Sequence, residues 1–105
     1  MPLLVQKYGG TSVGSIARIE AVADKVIAYK EQGNDMVVVL SAMSGETNRL
    51  MALADEISPS PKGRELDVLL TTGEQVTIAL LAMALAKRGY QAKSYTGGQV
   101  LRLIS

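Results

Sequence analysis

Residues 36–48 read MVVVLSAMSGETN, an unbroken apolar run that passes directly into small and hydroxyl-bearing residues. A continuous, valine-rich run of five bounded by polar residues suits a strand buried on both faces, as in a sheet covered by helices. Met36–Leu40 is therefore read as a strand and Ser41–Asn48 as the loop that leaves it.

Upstream, Leu3 to Tyr8 is a second short apolar run, ended by Gly9-Gly10. From Ser15 to Gln32, the apolar residues Ile16, Ile19, Ala23, Val26 and Ile27 recur at three- and four-residue spacing, with Arg18, Asp24, Lys25 and Glu31 between them. That spacing predicts an amphipathic helix closed by Gly33-Asn34. Downstream, a short helix runs through Leu50, Leu53 and Ile57, and SPSPKG (58–63) breaks it. Arg64–Leu70 reads as another short helix and Thr71-Thr72-Gly73 as an interruption. Glu74–Arg88 reads as a long helix whose Val76, Ala79, Leu80, Met83 and Ala84 pack inward, stopped by Gly89. Gln91–Tyr95 alternates like a third strand, and TGGQ (96–99) follows it.

Strands separated by helices predict a parallel sheet with helices on its faces. In such a sheet the loops after the strands gather on one edge, where ligands bind. The loops at 9–10, 41–47 and 96–99 are thus expected to converge on one site.

The chain has 105 residues, 48% of them hydrophobic, enough for one compact core. Its 11 basic and 10 acidic residues are spread evenly, which favours a small diffusible partner over nucleic acid or a membrane surface. There is no cysteine and no histidine, so chemistry falls to Lys, Arg, Ser, Thr, Asp, Glu and backbone amides. The longest apolar stretch, Val76–Ala86, is short of the roughly 20 residues a bilayer requires and reads as a buried helix. Met1-Pro2 enters a strand-like run with no signal-peptide features, so a cytoplasmic location is expected.

Lys7, near the end of the first strand, places an ammonium within reach of an anion at the sheet edge. Gly9 and Gly10 let the backbone approach with its amides exposed, and Thr11 and Ser12 add hydroxyls before a helix N-terminus. Neither GxxxxGK[ST] nor GxGxxG is present, so these residues are either a phosphate cradle or a strand-to-helix turn. Ser41, Ser44, Thr47 and Asn48 form a polar loop that either holds a substrate or caps the next helix. Glu74 stands where a carboxylate either complements a helix start or pairs with a substrate ammonium. Met43, Met51 and Met83 read as core filler.

Taken together, KYGGTSVG (7–14), VVVLSAMSGETN (37–48) and LLTTGEQ (69–75) resemble the aspartate kinase family of the amino-acid kinase superfamily, and TGGQ (96–99) resembles that family's next loop. The resemblance runs from Val5 to Gln99 and implies a three-layer α/β/α sandwich with a mainly parallel sheet. It implies phosphoryl transfer from MgATP to the side-chain carboxylate of L-aspartate, the first step toward lysine, threonine and methionine. ATP and Mg2+ would be the cofactors, no residue here a metal ligand, and the complete enzyme a homo-oligomer. Carried over by position, Lys7 would be catalytic, neutralising the phosphoryl group. Tyr8, Gly9, Gly10, Thr11, Ser12 and Ser41 would surround the phosphates, and Ser41, Thr47 and Glu74 would bind aspartate. A carboxylate acceptor is already ionised near pH 7, so such a reaction needs no histidine base.

Residues 1–105 would then be the aspartate-binding part of the kinase domain, with the nucleotide half and the ligand-sensing ACT domains absent and little turnover expected of the isolated chain. Val100–Ser105 (VLRLIS) departs from the family pattern. Other readings are a non-catalytic binding or assembly module, or a related kinase with a different acceptor.

Overall fold

The computed structural model describes residues 2–59, 63–95 and 99–104. Seven elements follow in order: β1 (Leu3–Tyr8), α1 (Ile16–Glu31), β2 (Asp35–Leu40), α2 (Glu46–Ile57), α3 (Arg64–Lys87), β3 (Gln91–Ser94) and β4 (Val100–Ile104). The four strands form one mixed sheet in the order β1-β2-β4-β3.

β1 and β2 pair in parallel from Leu3↔Asp35 to Tyr8↔Leu40. β4 runs antiparallel to both β2 and β3, so β1, β2 and β3 all point the same way. The expected common edge is therefore present, although β3 does not pair with β2 directly. Val100–Ile104, the segment outside the family pattern, is the strand between them; its alternating burial is that of a strand with one covered face.

That alternation organises the whole sheet. Tyr8, Met36, Val38, Leu40, Leu101 and Leu103 are buried on one face, joined in a single cluster with Val13, Ile19, Val22, Ala23 and Val26 on the α1 side and Ile78, Leu81, Ala84 and Leu85 of α3. The opposite face is bare: Leu3 is 58% exposed, Val5 61% and Ile104 47%. The described residues thus supply two layers, a sheet and the helices on one side of it.

Ser15 caps α1 by accepting from the Arg18 N–H, and Ile19, Val22, Ala23 and Val26 face the core while Ile16 stays exposed. Of the expected face of α2, Leu50 alone is buried.

The interruption expected at Thr71-Thr72-Gly73 is absent, because α3 runs unbroken for 24 residues. The threonines are accommodated through their hydroxyls, which donate back along the helix: Thr71 to the Val68 carbonyl, Thr72 to Leu69 and Thr77 to Gly73. The buried face is also not the expected one. Gly73, Thr77, Ile78, Leu81, Ala84 and Leu85 are buried, while Val76 and Met83 are 49% and 66% exposed. A helix that is apolar nearly all round carries no clear periodicity to orient it. As one piece, α3 is long and apolar enough to cross a membrane by length and composition; here it packs against α1, α2 and the sheet.

Candidate active site

The loops after β1 and β2 are joined by backbone hydrogen bonds at the carboxyl edge of the sheet. The Ser41 N–H donates to the Tyr8 carbonyl at 3.1 Å, and the Ser44 N–H to the Gly10 carbonyl at 3.1 Å. Gly10 makes this approach possible: a Cβ there would stand 3.0 Å from the Ala42 carbonyl oxygen and 3.3 Å from the Ser44 nitrogen. A side chain at Gly9 would meet nothing within 4 Å, so that residue faces open space.

Within the first loop, the Ser12 N–H closes onto the Gly9 carbonyl at 3.0 Å and the Gly14 N–H onto Thr11 at 3.4 Å. Among the described residues, no acceptor holds the N–H groups of Gly9, Gly10 or Thr11. These three amides follow closely on Lys7 at the end of β1. Strand alternation puts exposed Lys7 on the bare side of β1 and buried Tyr8 on the helix side. The Tyr8 hydroxyl donates to Gln6 Oε1 at 2.8 Å, and burial, with Tyr29 nearby, pushes its pKa above the ordinary 10.0.

The third loop begins to close the same edge. The Leu40 N–H donates to the Gln99 carbonyl at 2.7 Å, directly beside the start of the Ser41 loop. Thr96, Gly97 and Gly98 lie outside the described residues.

α3 enters through Gly73. A Cβ at that position would stand 3.1 Å from Ala42 Cβ, 3.3 Å from Glu46 Cγ and 3.4 Å from Leu50 Cδ1. The glycine therefore seats α3 against both α2 and the loop after β2, a role that the sequence signalled only as a breaker. Glu74 comes next and is not at a helix start, since α3 begins ten residues earlier. Neither capping nor the helix dipole accounts for it, and its Oε2 is buried without a hydrogen-bond partner among the described residues. A buried carboxylate oxygen left unpaired is costly.

The capping role weighed for Ser44 and Thr47 is likewise absent. The N-cap of α2 is Gly45, in the left-handed region at φ 85°, with no side-chain cap. Thr47 is exposed in the first turn of α2, Ser41 is half-buried, and both hydroxyls are free of intramolecular partners among the described residues. Glu46 is occupied with Arg49, whose hydrogen bonds hold its carboxyl below the usual carboxylate range.

Amides without acceptors after β1, the free hydroxyls of Ser41 and Thr47 and the unpaired Glu74 carboxylate oxygen are thus polar groups that the described residues leave unsatisfied around these loops. The chain belongs to the amino acid kinase family, whose model matches residues 2–102. Within that family it is 69% identical over 100 residues to an aspartate kinase of Pseudomonas putida, covering 95% of this chain and 24% of that protein. The solved aspartate kinase from Synechocystis superposes with a TM-score of 0.86 at 53% identity, over 89% of this chain and 16% of that one. E. coli aspartokinase III, solved in complex with aspartate and ADP, shares the fold at a TM-score of 0.73 and 23% identity, over 90% of this chain and 31% of that one. The chain spans about a quarter of the length of the curated relatives it matches.

Proposed function

We propose that this chain is the acceptor-binding part of an aspartate kinase, which transfers the γ-phosphoryl group of MgATP to the side-chain carboxylate of L-aspartate. The observation that carries the reading is the buried Oε2 of Glu74, without a partner among the described residues and beside the glycine that brings α3 to the Ser41 loop. A substrate ammonium would satisfy that oxygen with a charge-assisted hydrogen bond. Ser41 and Thr47 hold the rest of the amino acid.

Phosphoryl transfer to a carboxylate needs positioning and charge stabilisation more than proton transfer. Lys7 and the amides of Gly9, Gly10 and Thr11 stabilise the transferring group, with Tyr8 and Ser12 fixing the loop around it. Mg2+ would enter with the nucleotide, on its phosphates. The residues that hold the adenosine side belong to the additional length of the longer relatives.

The test uses a full-length kinase carrying this segment. Glu74→Gln is expected to raise the aspartate KM about ten- to a hundredfold, the worth of one charge-assisted hydrogen bond, with Thr47→Ala moving it in the same direction. An unchanged aspartate KM in both variants would remove those roles. Trapping the acyl phosphate with hydroxylamine, with aspartate, glutamate and acetylglutamate offered separately, checks the acceptor.

A second reading, an assembly module, is favoured by the bare sheet face carrying Leu3, Val5 and Ile104. A monomer in size-exclusion chromatography across the micromolar range would count against it.

A further inference from the structure

Two of the three acids of helix α1 are paired across to α3: Glu20 accepts from Lys87 at 2.6 Å and from Arg88, and Asp24 accepts from Arg88 at 2.8 Å, while Glu31 closes the helix. Arg18 and Lys25, two turns apart on the same helix, have no carboxylate partner within 4.0 Å among the described residues. The position of Arg18 sharpens the imbalance. It sits in the first turn of α1, which holds no acidic residue, where the helix dipole disfavours a cation.

An open surface groove of about 190 Å3 lies between these two exposed side chains. Buried Tyr8 and Val22 line it together with Ser12 and Ala21. The Lys25 ammonium lies 5.9 Å from the centre of the Tyr8 ring, which holds the charge at the groove without using up its donors.

We propose that this groove is a second anion site, which binds the phosphate group of a small molecule through Arg18, Lys25 and the Ser12 hydroxyl. Arginine offers a two-pronged donor to phosphate oxygens, lysine a point charge, and the N-terminal half of α1 a favourable field. The site adjoins the proposed cradle and shares Tyr8 and Ser12 with it, but lies on the helix side of β1, whereas Lys7 is on the bare side. It does not depend on the aspartate kinase reading.

The test is an NMR titration of the 15N-labelled chain with inorganic phosphate at constant ionic strength, with sodium chloride as the control. Saturable shifts are expected at the Ser12, Ala21, Val22 and Lys25 amides and at the Arg18 side chain. The R18Q/K25Q double variant should weaken them at least tenfold. Lys7→Ala should leave the α1 response in place, which separates this site from the cradle. Repeating the titration with Mg-free AMP distinguishes the sources: tighter binding assigns a phosphomonoester whose aromatic part covers Tyr8, and equal binding assigns the free oxyanion. Shifts confined to Gly9–Thr11, a response that chloride reproduces, or unchanged binding by the folded double variant would overturn the proposal.

Discussion

Gly9 and Gly10 are neighbours of one residue type with unlike surroundings. Alanine at Gly10 is expected to cost about 1–3 kcal/mol, because its methyl group would press on the Ala42 carbonyl oxygen, whereas alanine at Gly9 meets nothing and should shift stability far less. Urea unfolding of both variants checks the contrast. The sequence placed both glycines at a strand end but did not say which one is packed. The placement of Lys7 at a strand end and of Ser41 in the loop after β2 was legible because such places are marked by local composition, whereas Thr47, read as part of that loop, lies in the first turn of α2. Glu74 was ambiguous for a physical reason: Thr71, Thr72 and Gly73 look like a break, and the threonine hydroxyls that keep the helix intact are invisible in a propensity.

Among the elements, α3 shows how a helix can be found and yet be turned the wrong way. With apolar residues on most sides, its orientation is set by what it packs on. The test of the observed face is a pair of truncations: Leu81→Ala should cost about 2–5 kcal/mol, and Met83→Ala well under 1 kcal/mol, by thermal or urea unfolding. The contact between α1 and α3 also carries a pH signature. Hydrogen bonds from Lys87 and then Arg88 hold the Glu20 carboxyl below its ordinary 4.5. A carboxylate whose pKa is depressed on folding contributes stability above its unfolded value, and that contribution fades as pH falls through 4.5 toward the folded value. Unfolding midpoints measured from pH 6 down to 3 should therefore drop more steeply for the native chain than for Glu20→Gln.

For the whole molecule, the α/β class and the convergence of the first two loops followed from alternating elements, but the strand order did not. Pairing between segments 60 residues apart leaves no trace in a local period, so β4 could not be placed between β2 and β3 from Val100–Ile104 alone. The bare sheet face has its own expected outcome: Val5→Lys, at a position already 61% exposed, should leave the fold intact and lower self-association in analytical ultracentrifugation. The position of β4 bears finally on how the chain acquires its shape. Val100–Arg102 completes the hydrogen bonding of β2, a strand synthesised some sixty residues earlier. A nascent chain on the ribosome would hold β1 and β2 as a ribbon with an unpaired edge until β4 emerges. That interval is when a chaperone has most to do.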